Sequence, residues 1–84
     1  MNSTIMRKVT VTAEYQPFSA ERLVGSFEIS CVPANAGSVF FRGDDGSDVP
    51  WVPGEYHVFQ RIDLARVFVK GAIGDAVTII GGTW

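Results

Sequence analysis

The sequence predicts an all-β domain, a small antiparallel β-sandwich or partly open barrel of about six strands. Three observations predict it. Apolar and polar residues alternate with period two along most of the chain. Turn clusters of Gly, Pro, Asn and Asp recur about every 8–12 residues. No stretch offers a sustained i, i+3, i+4, i+7 stripe, and residues 20–24 hold at most one helical turn.

The elements follow in order. Val9, Val11, Ala13 and Tyr15 alternate with Thr10, Thr12 and Glu14, which reads as a first strand with one wet face. Pro17 ends it, because proline cannot donate to a ladder. Leu23, Phe27, Ile29 and Cys31 alternate with Ser26, Glu28 and Ser30 and give a second strand over about 22–32. Gly25 inside it marks a bulge or a close backbone approach. Residues 33–37 carry turn chemistry, and 38–42 form a short third strand. Residues 43–54 hold three Gly, two Pro and three Asp and read as a loop. Residues 55–62 make the fourth strand, with Tyr56, Val58 and Ile62 set against Glu55, His57 and Arg61. A tight connection at 63–65 leads to a fifth strand at 66–70. A glycine-rich hairpin loop at 71–75 leads to a sixth strand at 76–80. The whole chain, 1–84, is then one domain, with a flexible arm at 1–6 and a tail at 81–84.

Composition narrows the function classes. At 46% hydrophobic and 12% aromatic the chain is too apolar for a disordered segment. Seven Lys+Arg stand against nine Asp+Glu, a net charge of −2. A nucleic-acid binder shows a basic stripe instead. The longest cationic run is Arg7-Lys8, far short of a polybasic membrane patch. No apolar run approaches the ~18–20 residues of a spanning helix. Arg7 and Lys8 interrupt the N-terminus before any secretory apolar core begins. The lone Cys31 permits no intrachain disulfide, which favours a reducing compartment or a particle assembled inside a cell.

Chemistry-bearing residues are few. His57 and Cys31 match no metal-ligand spacing. No Gly-rich elbow or helix N-terminus flanks Cys31 to activate it. They read as a surface or interface histidine and a buried thiol. Asp44, Asp45 and Asp48 are dense enough to consider for Ca²⁺, but the EF-hand ligands at the third position and the distal Glu are missing. That segment reads as a solvated loop turning at Asp45-Gly46. Residues 71–75 lack the Lys-Ser/Thr of a phosphate loop, and no helix follows them. The expectation is a protein with no catalytic centre, no cofactor and no metal.

Three aromatic residues are instead candidates for partner contact. Trp51 lies between Pro50 and Pro53 in a stiff segment. It either presents an anchor to a partner or folds back over the core. Phe68 stands opposite Val67 and Val69, so the fifth strand is apolar on both faces. Self-association or docking would explain that. Trp84 follows the Gly81-Gly82 leash and either tucks against its own sheet or inserts into a neighbour.

The second half combines Phe40-Phe41-Arg42-Gly43, Pro53-Gly54-Glu55, Ile62-Asp63-Leu64-Ala65-Arg66-Val67-Phe68-Val69-Lys70-Gly71 and Gly74-Asp75-Ala76-Val77-Thr78-Ile79-Ile80-Gly81-Gly82. This order of turn, strand entry, strand and exit resembles the short structural proteins of tailed bacteriophages. Within them it is most similar to the small β-rich cement or decoration proteins that coat capsids. The resemblance spans about residues 38–82. It implies a non-enzymatic virion component, often a trimer, bound to the major capsid protein at subunit junctions and assembled in the host cytoplasm. The alternative is a soluble β module that recognises a carbohydrate or peptide through Trp51, Tyr56 and the acidic loop.

Overall fold

The computed structural model describes residues 3–83. Among them, eight strands form: β1 (Ser3–Thr10), β2 (Gln16–Pro17), β3 (Val24–Cys31), β4 (Val39–Arg42), β5 (Val49–Trp51), β6 (Tyr56–Asp63), β7 (Phe68–Lys70) and β8 (Ala76–Thr83). One 3₁₀ turn, Leu64–Arg66, joins β6 to β7. The strands make two four-stranded sheets, ordered β1-β8-β3-β6 and β2-β7-β4-β5. All pairings are antiparallel. The architecture is therefore a sandwich, and the barrel alternative is set aside. Its radius of gyration is 12.0 Å, close to the ~12 Å that 84 folded residues should have.

Period-two patterning builds the core. In β3, Phe27, Ile29 and Cys31 are buried while Ser26, Glu28 and Ser30 are half-exposed. Val77 and Ile79 of β8, Val39 and Phe41 of β4, and Val69 of β7 meet them between the sheets. Leu64, on the 3₁₀ turn, closes one end. Each such side chain contributes about 1.5–3 kcal/mol by leaving water.

Polar side chains fasten the loops. Asp75 is buried and accepts from the backbone N–H of Ala36 (2.9 Å) and Gly37 (3.3 Å). Asn35 both donates to the carbonyl of Ala76 and accepts from its N–H, each at 2.9 Å. Asp63 accepts from the N–H of Leu23 and of Ala65, both at 3.0 Å. Those two N–H groups hold its carboxyl below the usual carboxylate range.

Several expectations need correction. The first strand runs over Ser3–Thr10, not 9–15, and so takes in the described part of the expected arm. Ser3–Met6 pair with Thr83–Ile80, so the described part of the expected tail is strand too. β1 is an edge strand whose exposed side chains, Met6 apart, are polar or charged. Val11 is buried but lies past the ladder, held by its N–H to the carbonyl of Asp75 at 3.0 Å. The loop at 43–54 contains β5, which pairs only with β4, so Pro50 removes no needed ladder bond. β2 is a two-residue edge that no periodicity reveals. The fifth strand starts at Phe68; Val69 faces the core while Phe68 is half-buried in register with Pro17 and Arg42. Its two-faced apolarity is thus largely satisfied within the chain.

Candidate functional site

β6 ends one sheet and β5 ends the other. A tight turn, Val52-Pro53-Gly54-Glu55, joins them, so both edges lie on the same side of the sandwich. The Glu55 N–H donates to the Val52 carbonyl at 3.0 Å. Proline in the second place and Gly54 at φ 88° in the third are what a type II turn requires. The Glu55 carboxylate holds the turn, accepting from the Val52 N–H at 3.0 Å and meeting His57 Nε2 at 2.7 Å. The His57 bond, then the Val52 N–H, lower the pKa of Glu55.

Between these edges opens a mostly apolar cleft of about 440 Å³. Phe41, Val49, Trp51, His57, Phe59 and Val67 are among its walls. Trp51 is the centre of an aromatic stack. Its ring lies 3.8 Å from that of Phe41 at 28° and 6.2 Å from that of Phe59 at 9°. The His57 ring meets it edge-on at 4.7 Å. Trp51 is only 5% exposed. Of the two roles open to it, the structure gives it the one that folds back onto the core, in the wall of the cleft.

Phe68 is placed elsewhere, on the outer face of the second sheet, beside a smaller hollow with Gly43, Asp44, Ala65 and Arg66. Trp84 lies outside the described residues. The structure therefore does not bring Trp51 and Phe68 together.

The acidic loop is occupied by its own neighbours. Asp48 Oδ1 accepts from Tyr15 Oη at 2.6 Å and from Arg42 Nη2 at 2.9 Å. Those bonds lower its pKa. Asp45 accepts from the Ser47 N–H at 2.9 Å. The Arg42 guanidinium and Lys70 ammonium lie 4.1 and 4.8 Å from the Tyr15 ring centroid. Among the described residues, no group of three His, Cys, Asp or Glu side chains converges as a metal site would need.

Cys31 and His57 do not form a pair. The thiol points to the Trp51 carbonyl at 3.7 Å, while His57 turns to Glu55. Burial, helped by the negative charge of Glu55, pushes the Cys31 thiol up to about 11. A thiol reagent at mildly alkaline pH is expected to label folded protein at least ~100-fold more slowly than unfolded protein, since only thiolate reacts. Labelling of the two at comparable rates would overturn this placement of Cys31.

A second surface escaped sequence reasoning. On the outer face of the first sheet, Met6, Ile80, Glu28 and Val58 stand side by side across β1, β8, β3 and β6. Met6 is 71% exposed, Ile80 47% and Val58 66%, with Tyr56 at 59% in the adjacent row. Lys8 shares that adjacent row with Thr78 and Ser30. The phase of Val77 and Ile79 already places Ile80 outward. Met6 gave no signal, because its polar neighbours hide the strand.

No protein-family model, no curated protein and no solved structure matches this chain.

Proposed function

We propose that the chain is a non-enzymatic structural protein that works by assembly, as a cement or decoration protein of a phage capsid. The observation that carries this reading is the exposed apolar residues Met6, Ile80 and Val58, which share one row of the outer sheet face with Glu28. Apolar patches of this kind on small soluble domains mark contact with other proteins. A module repeated over a lattice also needs only modest affinity per copy. The support from resemblance concerns residues 38–82, and Val58 and Ile80 lie within them.

The test is cosedimentation of the purified chain with empty heads of the phage that carries it. Wild type is expected to pellet at a fixed ratio to the major capsid protein. The triple variant Met6→Lys/Val58→Lys/Ile80→Lys is expected to stay in solution while melting close to wild type. A wild-type chain that stays in the supernatant at saturating excess would sink the proposal.

A second reading, a module binding a small apolar ligand or peptide side chain, is favoured by the cleft at Trp51. Stacking on a sugar ring is disfavoured, since Trp51 already presents its faces to Phe41 and Phe59. The two readings separate by tryptophan fluorescence. An occupied cleft changes Trp51 emission, whereas docking through the outer sheet face leaves it largely unchanged.

A further inference from the structure

We infer that β6 is a dimerisation edge, pairing antiparallel with β6 of a second copy about a two-fold axis through Val58. The inference goes beyond the capsid reading and does not depend on it.

The sandwich has four edge strands, and three of them are defended. β2 is two residues long and contains Pro17. β5 is three residues long and contains Pro50. β1 carries Arg7 and Lys8. Short length, proline and cationic side chains are the usual protections against pairing with another chain. β6 is eight residues long, and from Tyr56 to Gln60 it has no proline, Lys, Arg or carboxylate.

Its free hydrogen-bonding groups can be located. The Cys31 N–H donates to the Glu55 carbonyl at 2.8 Å. Ile29 stands opposite His57 and Phe27 opposite Phe59. Backbone groups alternate sides along an antiparallel strand, so residues 55, 57 and 59 turn toward β3. Tyr56, Val58 and Gln60 therefore turn their N–H and C=O groups outward, where no strand among the described residues lies. Beyond Gln60 the ladder slips at the Gly25/Phe27 bulge, and Arg61 takes φ 56°. That ends the regular edge.

Charge selects the occupant and the register. With Val58 opposite Val58 of the second copy, Tyr56 faces Gln60 and all three outward-turned residues are paired in both copies. The same register brings Glu55, just before the regular edge, near Arg61 of the second copy, just after it, at both ends of the paired stretch. Slipping the partner two residues one way puts Glu55 opposite Asp63, and two residues the other way puts Glu55 opposite Phe59 and loses the Arg61 contact. Opposite charges facing across strands stabilise a pair, and like charges oppose it. Self-pairing in this register also sets His57 of one copy beside Phe59 of the other, next to the aromatic cleft. A self-complementary patch of this kind closes as a dimer, in place of the trimer that the capsid resemblance implies.

Sedimentation equilibrium from ~1 µM to ~1 mM is expected to show monomer passing to dimer. Val58→Lys, at a site open to water, is expected to weaken the dimer at least ~10-fold without lowering the melting temperature measured at a concentration where both proteins are monomeric. Val58→Cys is expected to oxidise to a covalent dimer, because facing Cα atoms ~5.5 Å apart suit a disulfide. Met6→Cys, on the far edge, is expected to crosslink far more slowly. A monomer throughout the range, a discrete trimer, or a dimer indifferent to Val58→Lys would each overturn the inference. Because Val58→Lys enters both tests, the proposals are separated by wild type alone: a monomeric chain that pellets with capsids overturns only this inference, and a dimer that stays in the supernatant overturns only the capsid reading.

Discussion

Replacing Gly81 with alanine is expected to remove about half of the protein's stability. Gly81 lies in the central strand β8, with Phe27 of β3 on one side and Ile5 of β1 on the other. A Cβ there would come within 2.8 Å of both Cα and Cδ1 of Phe27, and closer still to the carbonyl of Ser26. Two of those atoms are backbone, so no rotamer change relieves the clash. The Phe27 ring also covers Gly25, where a Cβ would press on Phe27 and on the carbonyl of Gly82. The aromatic ring thus fills the space that two glycines leave empty. Overpacking a rigid site costs ~1–3 kcal/mol and sometimes more. A domain this small holds a total near the low end of ~5–15 kcal/mol. A loss of about 3 kcal/mol corresponds to a melting temperature lower by about 12–24 °C. Gly43→Ala is the control, since its Cβ would meet nothing within 4 Å. Thermal melts followed by far-UV circular dichroism decide the matter. A Gly81→Ala protein melting within a few degrees of wild type would show that the β3–β8 approach is not tight.

Trp51→Ala is the second large effect, and it distinguishes the two roles open to this residue. As a wall of the cleft stacked on Phe41, Trp51 supports packing between the ends of both sheets. Truncating a buried tryptophan costs about 3–5 kcal/mol. Urea unfolding is expected to show that loss as a lower midpoint at unchanged slope. Trp51→Phe keeps a stacked ring and is expected to recover much of it. Had Trp51 been an exposed anchor, alanine would leave the midpoint in place and abolish only binding. A shift below ~1 kcal/mol, the scale of ordinary surface substitutions, would return it to that role.

These two residues also show where sequence reasoning stops. Gly25 was legible as a bulge or close approach, because a glycine inside an alternating strand has few other uses. Gly81 was assigned to a tail, because two glycines before a chain end look like a leash. Only the pairing of β8 with both β1 and β3 makes it an interior position. Trp51 was legible as a stiff, deliberately placed aromatic. Whether it faced a partner or its own core depended on the turn at Pro53-Gly54, which folds β5 back beside β6. Its stacking partners Phe41 and Phe59 are 10 and 8 positions away in sequence, and no local pattern links them.

By itself the sequence determined the all-β class, the inward phase of β3, and the burial of Cys31. Each follows from period-two alternation, which a strand obeys whatever its neighbours are. The tertiary structure alone decided which strands lie at the edges, that β1 and the end of β8 pair, and that Met6, Ile80 and Val58 share one face. The physical reason is that every one of these is a non-local pairing. Strand order is set by hydrogen bonds and packing between segments far apart in the chain, such as Ser3 with Thr83. No window of consecutive residues carries that information.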